Sequence, residues 1–216
     1  MCKFETKPCK TACYALKDHL SYGNNKLPKS TAIFNLGSAT ECPSKALGLC
    51  ALADECYAMK AEKQYPACKP YRDRQLSYWN SVDADQFADE FLMAIKRKRT
   101  AITALRVNES GDFYSQADIE KLSAIADKLS VFGIKVYAYT ARRDLNFNDL
   151  SDNLNIMGSF ITAEQKISAF IGVKDAKAHA KKMRGFYNKT AVCPGDCKKC
   201  SLCQVVKSTV VFCEIH

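Results

Sequence analysis

The sequence predicts an α/β fold: a partial or open (β/α) barrel of parallel strands, with cysteine-rich loops and a C-terminal cysteine knuckle. Three observations carry this expectation. An apolar run, an amphipathic stripe and a second apolar run follow one another over about forty residues, the pattern of a parallel βαβ unit. Strand candidates of similar length recur on both sides of that unit. The third observation is cysteine: twelve residues, at 2, 9, 13, 42, 50, 56, 68, 193, 197, 200, 203 and 213. The main groups fall in a loop after the first strand candidate and in a compact run near the C-terminus.

Residues 1–30 are polar, and Gly23-Asn24-Asn25 with Pro28 marks a turn. They read as an arm on a core formed by residues 31–190, which the cysteine-rich segment 191–216 completes. Thr31 to Leu36 (TAIFNL) predicts the first strand, and a loop from Gly37 to Cys56 follows it. Residues 83–99 predict a helix, with Phe87, Phe91 and Ile95 at four-residue spacing. Asp83 and Asp85 at its front and Lys96 to Arg99 at its end suit the helix dipole. Residues 101–107 (AITALRV) predict a buried strand, ending in Asn108-Glu109-Ser110-Gly111-Asp112. Ser115 with Asp118 three residues on has the form of a capping box. Ile119, Leu122, Ala126 and Leu129 then continue a helical stripe. Residues 134–140, 154–161, 167–173 and 205–213 predict further strands, with a Lys- and Ala-rich helix at 174–184 between the last two.

Composition narrows the function classes. With 47% hydrophobic residues the chain can build a core and is not globally disordered. No run approaches the roughly 18 uncharged apolar residues of a membrane span, so no membrane partner is expected. The opening MCKFETKPCK has no apolar signal segment, which argues against export. In a reducing cytosol dense cysteine points to metal, because thiolates ligate zinc and iron–sulfur clusters. The net charge of +9 favours an anionic partner such as nucleic acid. Metal tempers that: four thiolates around Zn²⁺ or a 4Fe–4S core make a site of about −2.

Cys193-Pro-Gly-Asp-Cys197-Lys-Lys-Cys200-Ser-Leu-Cys203 places four thiols within eleven residues. Such a run can converge on one centre, with Pro-Gly supplying the tight turn. Its compressed spacing and adjacent proline favour a 4Fe–4S cluster over zinc, which more often pairs two knuckles across a gap. Cys42, Cys50 and Cys56 form a second group. Three thiolates on one loop can hold a cubane and leave one iron open to a ligand. The alternative is that they are buried thiols, or join Cys9, Cys13 or Cys68 in a structural zinc site. A further arrangement gathers all seven thiols on one cluster.

The candidate cofactor-binding residues are Glu109, Ser110, Gly111 and Asp112. They close a strand just before a helix, where ligands of parallel α/β sheets sit. Gly111 permits close backbone approach, and Glu109 and Asp112 can accept from an amine or from ribose hydroxyls. Alternatively, Asp112 and Ser115 only cap the next helix. Lys96 to Arg99, Arg142-Arg143 and Lys181-Lys182-Arg184 read as solvated charge, and Tyr71, Tyr78 and Trp79 as core. His179 reads as exposed, and Cys2, Cys68 and Cys213 as free thiols. Cys13-Tyr14-Ala15 echoes Cys56-Tyr57-Ala58, either a duplicated site fragment or chance. No P-loop, G-x-G-x-x-G, H-E-x-x-H or nucleophile elbow is present.

Several strings carry a family resemblance: Gly23-Asn24-Asn25-Lys26-Leu27; Thr40-Glu41-Cys42-Pro43 with Cys50; Cys56-Tyr57-Ala58; Arg106 to Ser115; and Tyr137-Ala138-Tyr139-Thr140. Together, over about residues 22–143, they resemble the bacteriophage gene product 88 proteins. The resemblance implies a phage or prophage origin and a place in the cytoplasm of the infected bacterial host; it brings no activity with it. The arrangement also looks like a reduced radical S-adenosylmethionine (SAM) domain. There a cysteine loop follows the first strand, and a Gly/Glu motif at the end of the second holds the SAM amino group. Cys42, Cys50 and Cys56, and Glu109 to Asp112, match these in position, though not in spacing or wording. The usual spacing of three and two occurs instead at Cys193, Cys197 and Cys200, which looks like an auxiliary cluster.

The expectation is a phage-encoded iron–sulfur protein with one or two 4Fe–4S clusters. It is either radical SAM-like, reductively cleaving SAM to modify a substrate, or a redox protein served by an electron donor. The alternative is a zinc-stabilised nucleic-acid-binding module whose Lys/Arg clusters meet phosphates.

Overall fold

A computed structural model describes residues 15–160 and 167–214. Cys2, Cys9 and Cys13, and with them half of the Cys-Tyr-Ala echo, lie outside the described residues. After a 3-10 turn at Leu16–His19 come β1 (Ser21–Tyr22) and β2 (Thr31–Leu36), then four helices: α1 (Pro43–Ala46), α2 (Tyr57–Gln64), α3 (Cys68–Ser81) and α4 (Ala84–Lys96). Next are β3 (Ala104–Gly111), α5 (Gln116–Ser130), β4 (Lys135–Thr140), β5 (Leu154–Ser159) and β6 (Ser168–Val173). The chain ends with α6 (Ala176–Met183), β7 (Thr190–Val192), α7 (Leu202–Val205) and β8 (Val210–Glu214).

The strands form one mixed α/β sheet of eight, in the order β1-β2-β3-β4-β5-β6-β8-β7. Only β1 is antiparallel; every other pair is parallel, and the sheet does not close on itself. From β2 to β6 spatial order follows chain order. Right-handed crossovers therefore lay successive helices on the same face. Phe34 and Leu36, Leu105 and Val107, Val136 and Ala138, and Leu154 and Ile156 meet Trp79, Phe87 and Phe91 of α3 and α4 and Ile119 to Leu129 of α5 in one core. Phe34 stands edge-on to Phe87 at 5.1 Å, and Trp79 to Phe87 at 5.5 Å. Further along, α6 covers β6 and β8 through Ala176 and Ala180 against Ala169, Val210 and Phe212.

The local signals explain the element boundaries. Asp83 caps α4 by accepting from Gln86 N–H at 2.8 Å. Ser115 and Asp118 form the expected capping box on α5. Asp118 also accepts from Trp79 Nε1 at 2.7 Å, tying that cap to the core. Leu16 and Leu20 are buried in the main core, and Leu16 N–H donates to Glu90 of α4.

Strand β3 runs further than its apolar pattern, through Asn108 to Gly111. Pairing with β2 slips by two residues after Phe34, so that Leu36 meets Gly111. Asn108 absorbs the slip with φ +61, and Gly111 follows with φ +71. A Cβ on Gly111 would stand 2.2 Å from Leu36 O. Gly111→Ala is therefore expected to destabilise the fold by about 1–2 kcal/mol from left-handed backbone strain, and by more once the clash with Leu36 O is counted. Gly133→Ala is the control, with φ +69 but nothing within 4 Å. A urea midpoint no lower for Gly111→Ala than for Gly133→Ala would contradict the close-approach account.

Candidate metal and cofactor site

The loop after β2 folds back on itself. Cys42 caps the single turn of α1, where Pro43 fits the first position. Leu49 and Cys50 N–H then both donate to Ser44 O, at 2.8 and 3.2 Å, which returns Cys50 toward Cys42. Cys56 caps α2, its carbonyl accepting from Lys60 N–H. Burial pushes the Cys42 thiol up to about 11, with Asp112 and Cys50 adding to the rise. Burial also raises Cys50, and Cys56 and Asp112 act in the same direction. Cys42 and Cys50 thus feel Asp112, and Cys50 feels Cys56.

This loop is fastened by a buried clamp. Glu62 of α2 accepts from Ala39 N–H at 2.7 Å and from Thr40 N–H and Oγ1 at 3.1 and 2.8 Å. Arg72 of α3 meets Glu62 at 2.7 Å and donates to Ala58 O at 2.9 Å.

Asp112 is buried, and its carboxylate joins three crossings of the sheet. It accepts from Ser44 Oγ at 2.5 Å, Phe113 N–H at 2.8 Å and Ala141 N–H at 2.8 Å. Burial raises its pKa against the pull of these donors. Ser110 N–H donates to Asn35 Oδ1 at 2.8 Å. Asn108 Nδ2 donates to Tyr139 O at 3.3 Å. Glu109 accepts from Asn24 Nδ2 at 2.6 Å, while its carbonyl accepts from Tyr57 Oη at 2.5 Å. Among the described residues Arg106 Nε, Asn108 Oδ1 and Ser110 Oγ are buried without a hydrogen-bond partner.

The C-terminal run crosses the sheet face opposite α3 to α6. Val192 pairs with Phe212, so Cys193 lies beside Cys213 one step on. Cys193 N–H donates to Phe212 O at 2.7 Å. Gly195 turns the chain with φ +76. Asp196 then accepts from Lys198 N–H at 3.0 Å, and the run descends to α7, which rests on β4 and β5. Asn155 Nδ2 donates to Cys203 O at 2.8 Å, and Ser168 Oγ to Val206 O at 3.0 Å. Burial pushes Cys203 up to about 11; its neighbours are the Tyr139 hydroxyl, Cys193, Cys197 and Cys200. Burial also raises Cys197, against the opposing field of Arg106. Cys213 is pushed up to about 11 by burial and by Cys193.

Two thiol neighbourhoods result: Cys42, Cys50 and Cys56 beside Asp112, and Cys193, Cys197, Cys200 and Cys203 with Cys213. Cys213, read from the sequence as a lone thiol, joins the second through strand register. Among the described residues no group of three His, Cys, Asp or Glu side chains is gathered closely enough to hold a metal ion. A single zinc ion needs its four sulfurs about 3.8 Å apart, from Zn–S bonds of about 2.3 Å.

Three sequence readings change. Arg142 is buried rather than solvated: it pairs with Asp144 at 2.8 Å and donates to Phe113 O and to Tyr114 O. His179 is half-buried, its ring 5.0 Å from Phe212. Residues 205–213 contain a strand only from Val210, since Leu202–Val205 is helical. Tyr78 and Trp79 lie in the core as expected.

Among the described residues no helix is long and apolar enough to cross a membrane. In comparison with known proteins, the family model described as gene product 88 matches residues 16–209. No curated protein and no solved structure matches the chain.

Proposed function

We propose that this chain, which belongs to the gene product 88 family, is a phage-encoded iron–sulfur protein built on a partial barrel. In this reading Cys193, Cys197, Cys200 and Cys203 hold a closed 4Fe–4S cluster, and Cys42, Cys50 and Cys56 hold a second with one open iron. One observation carries the reading: two cysteine groups from opposite ends of the chain lie around the same stretch of β3 and β4, and buried polar atoms without partners lie on that stretch.

When bound, an open cluster supplies one electron and a vacant iron position to a ligand beside it. The chain's own residues then divide the remaining work. Asp112 fixes the Cys42 loop through Ser44 and fixes the β4 exit through Ala141. Its carboxylate is therefore occupied in positioning. Asn108 Oδ1 and Ser110 Oγ are available to a ligand, as an acceptor and as a hydroxyl that can donate or accept. The Glu109 carboxylate, held by Asn24, offers a negative charge to an amine. These groups suit SAM as the ligand and reductive cleavage of SAM as the reaction. A redox protein would use the same thiols without the three polar residues.

Metal and sulfide analysis of protein purified without oxygen tests this directly. About eight irons and eight sulfides per chain, with a broad visible absorption that bleaches on reduction, is the expected result. About four of each would leave a single cluster. Zinc without iron would overturn the reading and favour the zinc-stabilised nucleic-acid module.

A further inference from the structure

Lys98 and Arg99 lie beyond the end of α4, on the connection into β3, so they are not the last-turn cations of that helix. Lys29 comes from a different segment, the turn between β1 and β2. Backbone bonds join the two segments: Thr103 N–H donates to Ser30 O at 2.9 Å, and Thr31 N–H to Pro28 O at 3.0 Å. With Tyr22, Thr100 and Ile102, these three cations line a cavity of about 160 Å³ at the β1 edge of the sheet. No acidic residue among the described residues lines it. Among the described residues, none of Lys29, Lys98 and Arg99 forms an ion pair. Lys98 Nζ rests over the Tyr22 ring, 3.8 Å from its centroid, which holds the ammonium in place without neutralising it. The Tyr22 hydroxyl is buried and has no hydrogen-bond partner among the described residues.

The polar lining is therefore a set of donors: two ammonium groups, a guanidinium and the Thr100 hydroxyl. Three like charges in one concavity repel one another, and an anion that meets them relieves that repulsion. Size narrows the class. Pockets that enclose a whole small molecule run from about 300 Å³ upward, so this one suits a single charged group. A phosphate group fits the lining best. It carries up to about two negative charges, and its oxygens accept from several donors at once. A guanidinium can also grip two of those oxygens in parallel. A carboxylate brings one charge and two oxygens, and leaves part of the lining unanswered.

We infer that this corner is a phosphate-binding subsite, with Lys29, Lys98 and Arg99 as the groups that hold the anion. It uses none of the residues assigned to the cysteine centres, so it goes beyond the iron–sulfur reading and does not depend on it. The phosphate belongs either to a free phosphorylated molecule or to a nucleic-acid backbone. Both sources present the same chemistry to the cavity, and measurement tells them apart.

The test is isothermal titration calorimetry of the full chain at low salt, with inorganic phosphate and with a short oligothymidylate as separate probes. Wild type is expected to bind at least one of them. Lys98→Gln/Arg99→Gln should weaken that binding about tenfold or more, because two charge-assisted contacts are lost. Lys29→Gln, from the other segment, should weaken it as well. Lys96→Gln/Arg97→Gln removes the same net charge from exposed neighbours that do not line the cavity, and should leave the affinity close to that of wild type. Binding of inorganic phosphate with this pattern assigns the subsite to a free phosphorylated molecule. Binding of the oligothymidylate alone, with the same pattern, assigns it to a nucleic-acid backbone. Equal weakening by the two double variants would show surface charge acting without a site and would overturn the inference. So would a wild-type chain that binds neither probe. A chain that lacks iron but shows the expected pattern would remove the iron–sulfur reading and leave this subsite in place.

Discussion

Arg72→Ala is expected to lower folding stability by about 3–5 kcal/mol, the usual cost of stranding one partner of a buried ion pair. The Arg72 and Glu62 side chains are only 8% and 4% exposed, and they meet at 2.7 Å. The substitution also removes the donor to Ala58 O, which binds α2 to α3. Lys69, one turn earlier on α3, is the control. Its pairs with Glu41 and Asp73 are exposed, and Lys69→Ala should leave the urea midpoint unchanged. Acid provides a second readout. Burial alone would raise the Glu62 carboxyl, but donors from Ala39, Arg72 and Thr40 outweigh it and hold the group below its ordinary 4.5. The contribution is therefore complete above 4.5 and is lost as pH falls through the lowered value. The gap between wild type and Arg72→Ala should narrow in that acid window. A gap that stays constant there, or a loss no larger than that of Lys69→Ala, would show that the clamp does not hold the loop.

The parts of this fold that the sequence makes legible are those whose cause is local. The Phe87–Phe91–Ile95 stripe, the Ser115–Asp118 box and the apolar run at 134–140 each contain their own explanation, and each forms the element it predicts. The illegible parts depend on partners far along the chain. Helix α3 turns Arg72 and Gln75 inward beside Tyr78 and Trp79, which blurs its amphipathic pattern; Gln75 is there to meet Asn35 and His19 O. The extension of β3 through Asn108 to Gly111 requires the slipped pairing with Leu36, which no window around residue 108 contains. The cysteine spacings pick out both groups but not the register that adds Cys213. At the candidate site, Glu109 to Asp112 fall at the strand end as the pattern predicts. Their division of labour, with Asp112 tied down and Ser110 Oγ idle, depends on Ser44 and Ala141 arriving from other crossings.

Cys50→Ala is expected to remove about half of the iron, because the Cys42 group then keeps only two thiolates, and Cys197→Ala/Cys200→Ala/Cys203→Ala is expected to do the same at the C-terminal run. Each of these variants should leave about four irons, and their combination almost none. The argument rests on separation. Ser44, next to Cys42, is held by Asp112 at the end of β3, whereas Cys203 is held by Asn155 of β5. A single cluster shared by both ends of the chain would behave differently, with either substitution alone removing all of the iron. The two outcomes also assign chemistry. If Cys197→Ala/Cys200→Ala/Cys203→Ala keeps a cluster that binds SAM, the open iron belongs to Cys42, Cys50 and Cys56. If SAM binding survives only in Cys50→Ala, the ligand site lies on the C-terminal run.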